Sequence, residues 1–159
     1  MEIKGAYKIA ASRQKVWAAL NDPAILRKCL PGCEKLEKES DTSFSATVKT
    51  KIGPVSARFA GAVTLEDLDP PNGYRIVGEG KGGVAGFAKG AAKVTLSDDG
   101  GATVLAYDAD AKVGGKLAQI GSRLVAGTVR KLTDEFFKKF AETVAPGSAA
   151  EKIAVGGEA

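Results

Sequence analysis

The sequence predicts an α+β domain in which a curved antiparallel sheet of seven strands wraps around one long C-terminal helix. Apolar and polar residues alternate through residues 36–113, which is the period of a β-strand. From residue 115 to about residue 144 the apolar residues recur with the helical period instead. The chain of 159 residues is long enough for one such domain, predicted over residues 1–144, followed by a short flexible tail at 145–159.

Two short helices are predicted between the first strand and the rest of the sheet. Residues 2–11 alternate as a strand does. Ser12 is a favourable N-cap for a helix that ends near Leu20, and Pro23 is well placed at the first position of a second helix. This second helix is predicted to end at Pro31, because the Pro-Gly pair that begins there stops a helix.

The six strands that follow are separated by strong turn signals. Gly53-Pro54 marks one hairpin, and the sequence Asp-Pro-Pro-Asn-Gly at residues 69–73 marks the next. Residues 82–86 connect two further strands, and Asp-Asp-Gly-Gly at 98–101 turns the chain into the last strand, residues 103–113. These consecutive strands are predicted to run antiparallel.

The C-terminal helix is predicted from a single apolar face that continues for about thirty residues. The residues on this face are Leu117, Ile120, Gly121, Leu124, Thr128, Leu132, Phe136 and Phe140. Phe137 lies off the face, beside Lys138 and Lys139, where it would be available to a partner or to a membrane surface. Residues 145–148, Ala-Pro-Gly-Ser, end the helix.

Composition argues against several classes of function. The net charge is +4, and the cations are scattered beside acids rather than clustered with aromatics, which disfavours nucleic-acid binding. The chain has no histidine, so Ser-His-Asp and Cys-His nucleophiles cannot be built, and no metal site is predicted. Cys29 and Cys33 are expected to be reduced structural thiols. Without a signal sequence or a membrane-spanning apolar run, the chain is expected to be cytoplasmic.

A glycine-rich run at residues 78–90 permits three interpretations, namely a phosphate-binding loop, a hairpin tip and the wall of a cavity. Gly78, Gly80 and Gly83 have the G-x-G-x-x-G spacing of a dinucleotide-binding loop. That motif needs a helix directly after its third glycine, and the two glycines that follow would each cost such a helix about 1 kcal/mol. We therefore interpret the run as a slim cavity wall and a flexible lip that carries Phe87.

The inward faces predict a cavity between the sheet and the long helix. Several inward positions hold only small residues, namely Ala57, Gly61, Gly78, Gly80, Ala109 and Ala111 in the strands and Gly121 and Thr128 in the helix. Long curved strands cannot close uniformly on a straight helix, so some space is expected, and an apolar pocket with few polar groups suits a lipophilic ligand. A packed core that uses glycine and alanine at bulges is the alternative.

The predicted ligand-binding residues come from the walls and the mouth of this cavity. We expect the two short helices, over residues 12–20 and 23–30, to form the mouth together with the hairpin at 82–87. The complete set is Trp17, Leu20, Leu26, Phe59, Val63, Ile76, Phe87, Leu105, Tyr107, Leu117, Ile120 and Leu124. No catalytic residue and no covalent cofactor are predicted.

Seven separate motifs carry a resemblance to one family. They are LNDP at 20–23, CLPGCE at 29–34, GPV at 53–55, DLDPP at 67–71, GEGKGG at 78–83, GFAKG at 86–90 and VGGKLAQIGSRL at 113–124. Over residues 1–144 the chain resembles the carbon monoxide dehydrogenase G-subunit family of the START-like, or SRPBCC, superfamily. The resemblance implies the helix-grip fold, whose order of elements is the one predicted above, and it favours the cavity over the packed core.

The resemblance also implies an accessory role rather than a catalytic one. Members of the family are associated with molybdenum hydroxylases of the carbon monoxide dehydrogenase type, which they recruit to the inner face of the cell membrane. They are also associated with a bound quinone, through which electrons reach the respiratory chain. Some members carry a C-terminal amphipathic anchor. The roughly dozen small residues after Pro146 are too short for one, so only transient membrane contact is expected.

Two other functions remain open. An enzyme of the same superfamily, such as a cyclase, aromatase or hydrolase acting on a lipophilic substrate, would need acid or base groups in the pocket. Its candidates, which alternation places on the outward face, are Arg75, Glu79, Asp108 and Asp110. A ligand-free assembly factor would present the cations of the long helix to an acidic partner, namely Lys116, Arg123, Arg130 and Lys131.

Overall fold

A computed structural model describes residues 1–153 of the chain. The elements are β1 (Glu2–Ile9), α1 (Arg13–Leu20), α2 (Pro23–Cys29), β2 (Cys33–Ser40), β3 (Ser43–Ile52), β4 (Val55–Asp69), β5 (Gly73–Lys81), β6 (Phe87–Asp99), β7 (Ala102–Gly114), α3 (Lys116–Ile120), α4 (Ser122–Val144) and β8 (Glu151–Ile153). A single 3₁₀ turn, Gly83–Ala85, joins β5 to β6. The strands form one sheet in the order β2-β3-β4-β5-β6-β7-β1-β8.

The predicted α+β helix-grip architecture is confirmed. Strands β2 to β7 pair antiparallel with their chain neighbours, and β1 returns to pair with β7, where Ile3 lies opposite Ala109. The long helix α4 contacts β1 and β3, which are far apart in the sheet order. A sheet that reaches one helix with both flanks must curve around it.

The two short helices begin where the sequence predicts. The Ser12 hydroxyl accepts a hydrogen bond from the Lys15 N–H at 3.2 Å, which satisfies one of the free donors at the start of α1. The Asp22 carboxylate accepts from the Ala24 N–H at 2.9 Å, and Pro23 occupies the first turn of α2. Both caps are local, so they could be inferred without knowledge of the tertiary fold.

The C-terminal helix is interrupted, which differs from the continuous helix predicted over residues 115–144. Gly121 has φ of 100° and ψ of 145°, a conformation that is essentially restricted to glycine. This residue ends the five-residue α3, and α4 begins afresh with the Val125 N–H donating to the Gly121 carbonyl at 3.2 Å. The two helices therefore do not share one continuous apolar face.

The sheet has eight strands rather than the seven predicted. Residues 151–153 form β8, which pairs with β1 and places Ile153 opposite Ala6. Lys152 of this strand forms an ion pair with Asp134 of α4 at 3.2 Å. Three residues are too few for alternation to be recognised in a sequence, so sequence reasoning assigns this strand to the flexible tail. Residues 154–159 of that tail lie outside the described residues.

Two separate hydrophobic clusters make up the core. The larger one, here called the α1/α2 cluster, contains Tyr7, Ile9, Ala11, Val16, Ala19, Leu20, Cys29, Phe44, Leu65, Tyr74, Val94, Leu96, Leu105, Phe137, Phe140, Ala141 and Val144. The smaller one, here called the α3 cluster, contains Ile52, Leu117 and Val125. Because α1 and α2 cover only one end of the sheet, the two clusters close opposite ends of the space beneath α4.

Phe137 lies inside the α1/α2 cluster, so its predicted availability to a partner or a membrane is wrong. Its side chain is only 7% exposed, and its ring stacks on Tyr7 with centroids 4.4 Å apart. The predicted face follows steps of four residues from Leu124 to Phe140, which drift around a helix by about 40° per step, whereas Phe137 precedes Phe140 by three residues and shares its face. The buried face of α4 passes instead through Val125, Phe137, Phe140, Ala141 and Val144.

Candidate functional site

The middle of the sheet carries a patch of glycines on its inward face. Gly61 of β4 lies directly opposite Gly80 of β5, and Gly78 of β5 lies opposite Gly90 of β6. The side chains at alternate positions of β4 are exposed, whereas those in the Gly61 series are at least half-buried, so this series faces the helix. The backbone of α4 contacts the sheet at β1 and β3, on either side of this patch.

Nothing packs onto the glycine patch from the helix side. A Cβ atom added at Gly80 would have no atom within 4 Å. A Cβ added at Gly61 would meet only carbonyl oxygens of the neighbouring strands, at 3.6 and 3.8 Å. At Gly78 it would meet only Val63 and a carbonyl of the adjacent strand, at 3.4 Å or more. The surface beneath the middle of α4 is therefore bare backbone facing open space.

The small residues around this patch are accessible although they face the helix. Ala57, Ala109 and Ala111 are all half-buried, as are Gly61 and Gly80. In a closely packed interior these positions would be fully buried. Ala111 also lines a groove on the outer face of the sheet, so the open space at Gly80 is the observation that indicates room on the helix side, between the α1/α2 cluster and the α3 cluster.

Five of the predicted ligand-binding residues surround this space. Val63, Ile76 and Tyr107 are partly buried and pack against the edge of the α1/α2 cluster. Phe59 and Ile120 are partly buried and pack against the edge of the α3 cluster. Because each of these side chains keeps an accessible surface next to the glycine patch, together they form apolar walls around it.

Five other predicted residues lie deeper or to one side. Leu105 and Leu117 are each 1% exposed, so they support the walls from within the two clusters. Leu20 is also buried, and the partly buried Leu26 packs against the same cluster. Trp17 of α1 makes an edge-to-face contact with Tyr74 at 5.3 Å and remains half-buried.

Phe87 and Leu124, the last two predicted residues, lie outside the cavity. The inward side chains of β6 are at even positions, including the buried Val94 and Leu96, so Phe87 points to the opposite face. Its ring lies over Gly114, where a Cβ atom would come within 2.2 Å of a ring carbon. Leu124 is 47% exposed at the start of α4. Neither residue is placed to cap a ligand inside the space.

A polar group that the sequence analysis did not identify lies at the wall of the cavity. The Tyr7 hydroxyl donates a hydrogen bond to Asp134 of α4, which also pairs with Lys152. Burial, followed by the bond to Asp134, raises the pKa of Tyr7 above its ordinary value. Alternation does place Tyr7 on the inward face, but its pairing with Asp134 depends on how α4 packs against β1, which a sequence pattern does not give.

Three aromatic rings form a stack beside this polar group. The centroids of Tyr7 and Phe137 are 4.4 Å apart, and that of Tyr107 lies 6.4 Å from each of them, with its plane within 8° of that of Phe137. Tyr107 can lie flat over β1 because the residue beneath it is Gly5, where a Cβ atom would come within 2.5 Å of the Tyr107 hydroxyl oxygen. Tyr107 is the partly exposed member of the stack, so part of its ring is accessible for contact with a ligand.

The candidates for an enzymatic site lie on the outer face of the sheet. Arg75 and Glu79 have 47% and 50% of their side-chain surface exposed, and Asp108 and Asp110 have 59% and 77%. Arg75, Glu79 and Asp110 border an open groove of about 600 Å³ whose other lining residues include Lys89 and Lys112. The groove is charged and lies on the outer side of the sheet, where Gly78 and Gly90 form part of its floor. The side chains of the four candidate residues therefore point away from the space beneath α4.

The two cysteines are free thiols at the edge of the α1/α2 cluster. Cys29 is fully buried and its sulfur lies 3.8 Å from the Thr143 hydroxyl, while Cys33 is half-buried. Desolvation raises the pKa of both thiols, which disfavours the thiolate form that nucleophilic chemistry needs.

Comparisons with known proteins agree with the resemblance. The model of the carbon monoxide dehydrogenase G-subunit family, CoxG, matches residues 5–145. A conserved protein from Geobacillus kaustophilus has a solved structure with a TM-score of 0.86 and 30% identity, covering 95% of this chain and 99% of its own. No curated protein gives a significant match.

Two more distant structures share the fold alone. A START superfamily protein from Mycobacterium smegmatis is 15% identical, with a TM-score of 0.69, and the match covers 90% of this chain and 96% of that protein. A protein from Chromobacterium violaceum is 16% identical, with a TM-score of 0.70, and covers 91% and 98% of the two chains. In the described part of the chain, no helix is both long and apolar enough to span a membrane.

Proposed function

Because the chain belongs to the carbon monoxide dehydrogenase G-subunit (CoxG) family, with a START-like fold, we propose that it is a non-catalytic accessory protein that carries a lipophilic molecule. The ligand we propose is a quinone, held between α4 and the central strands. The carrier would serve a molybdenum hydroxylase-type dehydrogenase, by coupling it to the quinone pool or by recruiting it to the membrane.

The observation that carries this proposal is the bare glycine patch beneath a helix whose backbone approaches the sheet at β1 and β3, on either side of the patch. A protein that needed only stability would fill this region, because each buried methylene contributes about 0.8 kcal/mol. The apolar walls around the patch match an isoprenoid tail, whose burial contributes about 25 cal/mol per Å² of apolar surface.

The aromatic stack supports a ligand with a flat ring. Tyr107 and Phe137 are nearly parallel, and Tyr107 is accessible from the cavity. Flat rings pack favourably on such surfaces in offset geometry. A quinone combines a planar ring with an apolar tail, so it matches both parts of the cavity.

Extraction of the purified protein with organic solvent, followed by mass spectrometry, tests the proposal. We expect a lipophilic species to be recovered from the folded protein and not from protein unfolded and washed before extraction. Addition of a short-chain quinone to delipidated protein at about one hundred times its Kd should raise the Tm by about 5–10 °C. Recovery of no lipophilic species together with an unchanged Tm would overturn the proposal.

The dehydrogenase is tested separately from the ligand. We expect a molybdenum-containing dehydrogenase to be captured from an extract by the tagged protein, and to reduce the quinone faster when the carrier is present. Capture of the dehydrogenase by a protein that binds no quinone would instead favour a pure assembly factor. In that case the exposed cations of α3 and α4 become the surface to examine, namely Lys116, Arg123, Arg130 and Lys131.

A further inference from the structure

The charges of this chain are segregated by segment. Residues 42–65, 80–97 and 111–133 contain eleven lysines and arginines and no aspartate or glutamate. The rest of the chain contains twelve cations and nineteen acids. The overall charge of +4 therefore conceals three strongly basic stretches within a chain that is otherwise acidic.

The topology of the sheet brings the basic stretches together at one end. In an antiparallel meander, successive hairpins alternate between the two ends. The β3–β4 turn, the connection at residues 82–86 and the start of α3 consequently share one end, here called the basic end. The hairpins at the other end, here called the acidic end, carry the acids Asp41, Asp67, Asp69, Asp98 and Asp99.

Close contacts join the three segments of the basic end. A Cβ atom at Gly53 would come within 2.8 Å of the Leu124 side chain and 3.5 Å of that of Ile120. A Cβ at Gly115 would come within 2.7 Å of the Gly86 backbone. These contacts place the β3–β4 turn, the 82–86 connection and the α3–α4 junction side by side in one surface.

The basic end also exposes large apolar side chains. Val84, at the tip of the 82–86 connection, is 86% exposed, Leu124 is 47% exposed and Phe87 is 39% exposed. Of the large hydrophobic residues that are exposed among residues 1–153, only Leu68 lies elsewhere. The same segments carry the exposed cations Lys51, Lys81, Lys116 and Arg123. Lys81 lies 3.9 Å from Glu79, and the exposed acids Glu2 and Asp110 are at this end too, where β1 begins.

We propose that the basic end is a docking surface for an anionic lipid bilayer, with Val84 and Leu124 entering the boundary between headgroups and acyl chains. A few exposed aliphatic side chains flanked by lysines and arginines are typical of proteins that bind at the membrane interface. The same tips are too small and too scattered to seal a stable protein interface, which needs about 1,000 Å² or more. The proposal rests on the proposed function for its purpose, which is exchange of the lipophilic ligand with the membrane.

Vesicle flotation of the full chain tests this docking surface. We expect binding to vesicles of phosphatidylglycerol and phosphatidylcholine, weakened by salt, and little binding to phosphatidylcholine alone. The double variant Val84→Ser/Leu124→Ser should lower partitioning at least about tenfold, because two aliphatic side chains leave the acyl boundary. Leu68→Ser is the matched control, since Leu68 is 42% exposed at the opposite end, and it should bind as the unaltered chain does.

A second pair of variants tests the charge. Lys81→Gln/Lys116→Gln should lower partitioning about fivefold for each lysine removed. Lys15→Gln/Lys38→Gln makes the same change in net charge at the acidic end and should have little effect. Equal losses in the two charge variants, or in the two apolar variants, would overturn the proposal. So would an absence of binding to anionic vesicles. The proposal would also fail if the lysine variants lost binding to an acidic protein while they kept their binding to vesicles.

These outcomes are independent of ligand binding. Vesicle binding is measured with delipidated protein and without quinone, whereas the quinone-dependent Tm shift is measured without vesicles. A chain that binds quinone but not vesicles would retain the proposed function and lose this docking surface. A chain that binds vesicles but no lipophilic ligand would retain the docking surface and lose the proposed function.

Discussion

Tyr7 links the sheet to the long helix through one buried hydrogen bond. Its side chain is 3% exposed, and its hydroxyl donates to Asp134, which is accessible enough to pair with Lys152 as well. A hydrogen bond to a charged acceptor contributes more to stability than one between neutral groups. The bond therefore fixes the position of α4 relative to β1, at the wall of the cavity.

Tyr7→Phe should lower the free energy of unfolding by about 1.5 kcal/mol, because it removes a charge-assisted hydrogen bond without changing the packing of the ring. Urea unfolding followed by circular dichroism measures this. Tyr74→Phe is the matched control, since burial alone raises the pKa of Tyr74 and its hydroxyl makes no side-chain hydrogen bond within residues 1–153. A change below about 0.5 kcal/mol is expected for the control. Equal losses in both would contradict this role for Tyr7.

The raised pKa of Tyr7 also predicts how stability depends on pH. An unfolded tyrosine ionises near pH 10. Because the pKa of Tyr7 is higher in the folded state, its contribution is fully present below about pH 10 and is lost as the pH rises above that value. Tyr7→Phe should reduce this loss of stability at alkaline pH. Part of the loss should remain, because the pKa of Tyr74 is also raised. The measurement is the unfolding free energy between about pH 8 and pH 11. If this prediction were wrong, its slope against pH would be the same in Tyr7→Phe as in the unaltered chain.

The glycine patch offers a direct test of the cavity. Gly80→Val places two methyl groups in the space, and its Cβ meets no atom within 4 Å, so the fold should be retained. We expect stability equal to or higher than that of the unaltered chain, because glycine is unfavourable inside a strand, and loss of the quinone-dependent Tm shift. Ala62→Val, an exposed position on the outward face of β4, is the control and should keep the shift. A full shift in Gly80→Val would place the ligand elsewhere.

The residues that the sequence misplaced share one cause, which is that a period assigns faces only while its phase is known. The face of Phe87 could have been inferred from Lys89 and Lys93, which have the same parity in β6 and are exposed. The face of Phe137 could likewise have been inferred from Phe140 and Ala141, three and four residues later in the same helix. By contrast, the inward faces of Phe59, Val63 and Ile76 follow from uninterrupted alternation, and the three side chains are partly buried against the two hydrophobic clusters.

At the scale of elements, the break between α3 and α4 depends on the backbone conformation of one residue, Gly121. Gly121 has a backbone conformation that costs other residues about 1–3 kcal/mol. The break directs α3 toward β7 and the 3₁₀ turn, where Leu117 closes the basic end of the core. A single continuous helix would carry Leu117 away from this cluster.

Gly121→Ala should therefore lower the free energy of unfolding by about 2 kcal/mol. Gly127→Ala is the matched control in the same helix, where a Cβ atom meets nothing within 4 Å, and it should raise stability by about 0.5–1 kcal/mol through higher helix propensity. Both values come from chemical denaturation under identical conditions. Stabilisation by Gly121→Ala would mean that a continuous helix is compatible with the fold.

At the scale of the whole molecule, the order of elements was predictable because each element is encoded locally. Caps at Ser12 and Asp22, turn residues between the strands and a change of period near residue 115 all act over a few residues. The number of strands was not predictable, because β8 exists only through its pairing with β1. The slim inward faces were predictable from alternation, whereas the hydrogen bond between Tyr7 and Asp134 depends on how α4 packs against β1.

The distribution of charge was visible in the sequence but requires the topology to be interpreted. Cations that look scattered along the chain belong to segments whose turns meet at one end of the sheet. Two chains of equal net charge could therefore behave differently at a surface. The molecule is better described by its dipole along the strands than by its net charge.

The open edges of the sheet have a consequence for solubility. A sheet that does not close leaves two edge strands, and unpaired edges invite strands of other molecules. On one side, β2 carries alternating lysine and glutamate, which repel such additions. On the other side, the three residues of β8 cover part of β1, whose inward residues Ile3 and Ile9 are apolar.

β8 thus protects the chain from its own neighbours as well as completing a sheet. Removal of residues 149–159 should leave the cavity intact while light scattering of the concentrated protein increases over hours, because β1 becomes a free edge. Lys152→Ala, which keeps the strand and loses only the pair with Asp134, should scatter much less. Equal solubility of the truncated and full chains would indicate that β1 needs no cover. A segment of three residues would otherwise determine the concentration at which this protein can be stored.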